Sequence, residues 1–281
     1  MLRGGWRKRS GAAVALAAVL LAGCSTQDVS RTDFEKYSAR EIYAMAEARL
    51  EQRHDPKDAA KIFGEVERLY PYSELAKRAL IMQAFAYHEA ADYENARAAA
   101  QRYIDFYPAD EDAAYAQYLL ALSYYDQIDE VGRDQGLTLQ ALQALRVVIE
   151  RYPDSEWARS AELKFDLAFN HLAGKEMEVG RYYLKRGNYT AAINRFRNVV
   201  EQFQTTTHTP EALYRLVEAY LALGLDDEAQ TAGAILGYNY RASEWYQDAY
   251  ALLTGRGLRP EASGDSWLRS VYRQTIRGEW L

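Results

Sequence analysis

The feature that most constrains this chain is an alanine that keeps returning at a fixed distance from a proline. Ala59, Ala96 and Ala141 each stand twelve residues before the proline of a Tyr-Pro pair, in "ERLYPYSELA", "IDFYPADEDA" and "IERYPDSEWA". The residue before a proline is steered out of helical conformation, so each pair marks the end of a helix that began near its alanine. The same local pattern surrounds Ala192 and Ala229, with Gln204 and Arg241 where proline stood. Gly136, Gly187 and Gly224 lie five residues before three of these alanines, and Tyr87, Tyr183 and Tyr220 lie nine before. Small Ala84 and Gly180 come three residues earlier still. Apolar residues recur at i, i+3 and i+4 in almost every segment, and few show the alternation of a strand.

Small residues that let two helices approach, bulky residues in their seam and a proline stop resemble the tetratricopeptide (TPR) signature. The predicted fold is all-α, a right-handed superhelical array of about five TPR-like helix pairs. A single pair cannot bury its apolar face, so stacked neighbours must make the core. The five alanines are 37, 45, 51 and 37 residues apart, longer than the roughly 34 of the consensus repeat. One excess is "DQIDEVGRDQG", an inserted loop over 126–136. The other lies in Ser155 to Arg186, which reads as one long helix or two nearly in line. The expected organisation is a cleaved signal segment 1–23, a lipidated N-terminus and linker 24–36, and repeats one and two over 37–110. Repeat three then spans 111–154, repeats four and five 155–242, and a C-terminal helix and tail 243–281. In that tail Trp267, Leu268, Val271, Tyr272 and Ile276 share one helical face, suited to capping the last repeat or docking another subunit.

The N-terminus carries a different message. "MLRGGWRKRS" is basic, and the apolar run that follows, Gly11 to Ala22, has the length of a signal-peptide h-region and falls short of the roughly 20 residues of a spanning helix. It leads into "LAGC", where Cys24 is the single cysteine of the chain. These residues resemble the lipobox of bacterial lipoproteins, which implies a diacylglyceryl thioether and an N-acyl chain on Cys24. Two or more acyl chains hold a protein stably on a bilayer, one only marginally. Ser25, in place of an inner-membrane retention Asp, points to the outer membrane.

Removing residues 1–23 takes away four of the 34 basic residues and none of the 40 acidic ones, so the net charge falls from -6 to -10. An acidic chain lacks the basic face that displaces counterions from nucleic acid. One cysteine gives no disulfide framework, and the four histidines at 54, 88, 171 and 208 are too scattered for a zinc site. Neither a metal nor a dissociable cofactor is expected, the one added group being the lipid on Cys24. Catalysis finds no foothold either. His88-Glu89 has no second histidine four residues on, "AGKEM" has Phe169 where a P-loop needs glycine, and no G-x-S-x-G occurs.

In TPR arrays the first helices of successive pairs line an inner groove. Counting from Ala96 and from Ala121, the groove-facing positions are Arg78, Ile81, Phe85 and His88, then Tyr115, Tyr118, Leu122 and Tyr125. An aromatic set with one Arg suits an extended peptide and its carboxylate. The alternative is that neighbouring helices or the inserted loop cover these rings.

The string "ERYPDSEWARSAELKFDLAFNHLAGKEMEVGRYYLKRGNYTAAINRFRNVV" resembles the BamD (YfiO/ComL) family of outer-membrane assembly lipoproteins, with similarity running from about Phe34 to Leu253. The resemblance implies a non-enzymatic, lipid-anchored subunit on the periplasmic face of the outer membrane. Its partners would be BamA, other BAM subunits and unfolded outer-membrane proteins. "AINRFRNVV" matches the family segment that meets BamA, so the resemblance assigns Arg195 an ion-pairing contact there. The rival reading is a TPR lipoprotein that scaffolds peptidoglycan or cell-division machinery, against which Cys24 and the absence of sustained heptads in residues 25 to 40 weigh.

Overall fold

The computed structural model describes residues 32–261 and 267–272. A short 3-10 turn, Phe34–Lys36, precedes α1 (Ala39–Glu51), α2 (Pro56–Leu69), α3 (Glu74–Glu89), α4 (Tyr93–Phe106), α5 (Ala113–Tyr125) and α6 (Gly136–Arg151). Then follow α7 (Glu156–Lys185), α8 (Tyr189–Gln202), α9 (Thr209–Leu223), α10 (Asp226–Asn239), α11 (Glu244–Thr254) and α12 (Trp267–Tyr272). Among the described residues there is no strand. Consecutive helices pack on each other from α1 through α11, a TPR-like helical solenoid. Ala59, Ala96, Ala141, Ala192 and Ala229 all lie in second helices, and each is fully buried. The signal segment, Cys24 and Ile276 lie outside the described residues.

The helices end and restart at one recurring corner. Tyr70, Tyr107, Tyr152, Phe203 and Tyr240 cap α2, α4, α6, α8 and α10 with the same backbone, φ between -125° and -134° and ψ between 37° and 53°. Each aromatic carbonyl accepts a hydrogen bond from the N–H three residues on, at 2.9 to 3.1 Å. Ser73, Ser155 and Ser243 then cap the next helix by accepting from the N–H three residues further, which satisfies one of its orphan donors. Phe203 and Tyr240 make this corner with no proline behind them. An aromatic wedged under the turn, with or without proline, therefore suffices. At the second corner Asp110 replaces the serine. Its carboxylate accepts from Lys77 Nζ at 2.6 Å, from the hydroxyl of fully buried Tyr103 at 2.6 Å and from the Asp112 N–H at 3.1 Å.

Inside each pair the turn needs a left-handed residue five positions before the signature alanine. Gly187 (φ 74°) and Gly224 (φ 73°) supply it without strain, whereas His54 (φ 52°) and Ala91 (φ 54°) adopt it with a side chain. Gly136 does not serve this purpose, because the inserted loop moves it to the first residue of α6. That loop is tied to α7 rather than left free. Lys175 Nζ donates to the Gly132 carbonyl at 2.6 Å, and His171 Nδ1 lies 3.0 Å from Gln135 Oε1.

Helix α7 is one continuous helix of 30 residues, about 45 Å long at 1.5 Å per residue. Its N-terminal half packs Trp157, Ala161 and Phe165 into a core with α5 and α6. Its C-terminal half delivers Met177 to the largest core, shared with α8 to α12. Between them Phe169 lies against Phe165 (5.8 Å) and against Phe203 (4.8 Å), a ring relay from one core to the next. Gly180 lets α8 come close, since a Cβ there would stand 2.5 Å from the Phe196 ring.

First helices approach their successors, α1 to α3, α3 to α5, α5 to α7 and α9 to α11, and α2, α4, α6, α8 and α10 make no comparably close approach to one another. The array therefore bends with first helices inside and leaves grooves between second helices outside. A further regularity organises the molecule. Ala59 to Ala192 and Ala96 to Ala229 are the same distance, 133 residues. Adding 133 to the bounds of α2 and α4 gives the bounds of α8 and α10. The chain is thus two similar halves joined through α5, α6 and the first half of α7.

Candidate functional site

The inner face of repeats two to four is built from α3, α5 and the start of α7. Arg78 is exposed there, and Phe85, His88, Tyr115 and Tyr125 are half-buried. Two expected groove residues are corrected. Ile81 (7 % exposed) and Tyr118 (6 %) belong to the packed layer between helices. The reason is the bend itself: first helices come so close that positions facing the neighbour have no open side.

The residue that closes on Tyr118 is Trp157, which sequence reasoning passed over. Its ring centroid lies 5.3 Å from Tyr118 and 4.5 Å from Tyr115, within the range where aromatic pairs attract. Burial pushes the Tyr115 hydroxyl up to about 12, so it is a neutral hydrogen-bonding group near neutrality. Lys164 Nζ sits 5.4 Å from the centre of the Tyr125 ring. His88 Nε2 lies 2.9 Å from Asp126 Oδ2, and its ring meets the Tyr93 ring at 5.5 Å. What remains open is a shallow aromatic and cationic strip of Arg78, Phe85, His88, Tyr115 and Tyr125. A signal for Trp157 existed. Leu75, Trp157 and Trp245 each stand two residues after a capping serine, a position where a large apolar side chain recurs.

A second cluster spans α7, α9 and α11. Arg181 grips Glu211 through two hydrogen bonds, at 2.8 and 2.6 Å, and Arg215 reaches both Glu211 (3.3 Å) and Glu218 (2.6 Å). The Arg215 guanidinium lies 5.0 Å from the Tyr214 ring and 5.6 Å from Trp245. Burial alone would raise Glu211, but the hydrogen bonds and charge of Arg181 and Arg215 outweigh it and hold the carboxyl below its ordinary value. His208, half-buried beside Gly174, is lowered by burial and by the Arg181 charge. Charged bridges here join α7 to α9 where the helices themselves do not closely approach. The i, i+4 pairing of Glu211 with Arg215 was legible, but the link back to Arg181 needed the fold.

Arg195 lies on α8, its side chain 45 % exposed, with Nη1 3.2 Å from Glu176 Oε2. It borders a cleft of about 500 Å³ shared with Tyr183, Asn194, Asn198 and Glu201. A partner's carboxylate has access to this guanidinium in competition with Glu176. Among the described residues no group of three or more His, Cys, Asp or Glu is arranged to hold a metal ion, and no helix is long and apolar enough to cross a membrane.

A bent array of helix hairpins, with aromatic strips and exposed ion pairs, is the architecture of a TPR-like helical scaffold. The chain belongs to the YfiO family, described as outer membrane lipoprotein, whose family model matches residues 35–235. It is 48 % identical over 253 residues to the outer membrane protein assembly factor BamD of Caulobacter vibrioides, covering 88 % of this chain and 83 % of that one. It is 47 % identical over 197 residues to the BamD of Rickettsia prowazekii, 70 % of this chain and 78 % of that one. The BamD of Neisseria meningitidis serogroup A is 29 % identical over 243 residues, 82 % of this chain and 91 % of that one.

Proposed function

We propose that this chain is a non-enzymatic lipoprotein subunit of the β-barrel assembly machinery, held on the periplasmic face of the outer membrane by acyl chains on Cys24. The observation that carries the reading is the identity to assembly factors named BamD along most of both chains. No bond is made or broken in this role. The scaffold binds, orients and couples.

Two surfaces divide the work. Arg195, exposed on α8 and held only by a half-exposed ion pair, is the contact for BamA. The strip of Arg78, Phe85, His88, Tyr115 and Tyr125 receives the C-terminal signal of an unfolded outer-membrane protein, the rings giving area and Arg78 a fork for the terminal carboxylate.

Affinity purification of the native protein from membranes, read by mass spectrometry, tests the assignment. BamA and its companion subunits are the expected haul, and division or cell-wall proteins in their place would refute it. Arg195→Glu should deplete BamA from the haul, and Cys24→Ser should release the protein from the membrane fraction. Phe85→Ala should weaken crosslinking to a barrel-signal peptide, and undiminished crosslinking would remove the inner strip from the account.

A further inference from the structure

The 133-residue correspondence makes the outer grooves of the two halves the same place in the repeat, and only one of them is filled. Between α8 and α10 the groove has Thr209 and Leu213 at its floor and Tyr240 at its wall, and the chain's own α12 lies across it. Leu268 is fully buried there, and Val271 closes the groove to about 240 Å³. The Trp267 indole donates to the Tyr220 hydroxyl at 3.0 Å and lies 4.6 Å beneath the Arg197 guanidinium.

Subtracting 133 turns the floor into Ala76 and Leu80, the wall into Tyr107, and Tyr220 into Tyr87. All four line the groove between α2 and α4. That groove has about 1020 Å³ of room, and none of the described residues crosses it as α12 crosses its counterpart. Its rims carry Tyr72, fully exposed, and Phe106, 64 % exposed. Where Arg197 covers Trp267 the corresponding residue is Gly64, which projects no side chain over that place and has the Gln83 amide packed against it.

We infer that the α2/α4 groove docks a short amphipathic helix of a partner polypeptide, one that carries a tryptophan with aliphatic side chains one and four positions further on. The template is α12 itself, with Trp267, Leu268 and Val271 at those positions. The linker segment 25–31, "STQDVSR", offers one aliphatic residue and no aromatic, so it does not match that template. The α12 of a second copy is already committed to its own groove. Cations at the site are paired, Lys61 with Asp58 (2.8 Å), Arg68 with Glu65 (2.7 Å) and Arg102 with Glu67 (3.3 Å). Docking therefore rests on apolar fit and the Tyr87 hydroxyl, not on net charge. This surface lies outside the inner strip and the Arg195 cleft, and the inference does not depend on the proposed function.

The test titrates the full mature chain with a labelled, helix-stapled peptide of the sequence Trp267–Tyr272. Saturable binding that changes little with salt is expected. Tyr72→Ala combined with Phe106→Ala should weaken it about tenfold while leaving the thermal melt unchanged, and Arg78→Ala on the inner face should leave it intact. Tyr87→Phe should weaken the tryptophan peptide but not a version with phenylalanine in its place. Absence of saturable binding, indifference to the rim substitutions, or photocrosslinks confined to α8 and α10 would overturn the inference. So would a dimer of the full chain that the rim substitutions dissolve, since the occupant would then be a second copy.

Discussion

Asp110 shows how much one side chain holds. Hydrogen bonds from Lys77 and from Tyr103 hold its carboxyl well down, at about 2, against an ordinary value near 3.9. A carboxylate lowered on folding contributes stability that is fully present above its unfolded value and is lost as pH falls, here from about 4 toward 2. Asp110→Ala strands the hydroxyl of buried Tyr103 and should cost about 1–3 kcal/mol, measured by urea denaturation at pH 7. The gap to the native protein should narrow in acid over that window. Ala91 offers the opposite sign. A left-handed alanine carries a steric cost of about 1–2 kcal/mol, part of which glycine's looser unfolded chain offsets. Ala91→Gly should therefore raise stability by about 0.5–1 kcal/mol in the same assay. Sequence made the small positions Ala96, Ala192 and Gly180 legible, because a small residue that returns at one place among large ones is what a close helix approach demands. It did not reveal that Ile81 and Tyr118 face a neighbour. That depends on how closely α3, α5 and α7 approach one another, which the spacing of residues along one helix does not show.

At the scale of elements, the corners were readable and the long helix partly so. Tyr-Pro announced three helix ends, the recurring pattern around Ala192 and Ala229 implied the other two, and the structure showed that an aromatic, Phe203 or Tyr240, makes those corners without proline. Residues 156–185 lack a stop signal, so continuity was one of two readings, and the choice was made by the ring relay through Phe169. Leu167 tests that continuity because it is 61 % exposed and takes no part in either core. Leu167→Pro removes one helical hydrogen bond and crowds the preceding turn, at about 3 kcal/mol or more. Limited proteolysis should then cut α7 near its middle and release two helical fragments, while Leu167→Ala should resist as the native protein does.

For the whole molecule, the division into similar halves predicts how it comes apart. Neighbours in a repeat array share stability only through their interfaces, and local opening follows cooperative units. In amide hydrogen exchange, Asp110→Ala should speed exchange in α3 to α5 and leave α8 to α10 close to native protection. Uniform acceleration from α1 to α11 would mean that the two halves act as one unit. The helix that joins them has a consequence of another kind. An unbroken rod of about 45 Å fixes the interval between the two cores it enters much as a caliper does. A polypeptide that grasps a surface beside each core at once gains from the linkage only if its own tether matches that interval. Shortening α7 by whole turns would keep both surfaces intact while detuning every two-handed grip on them.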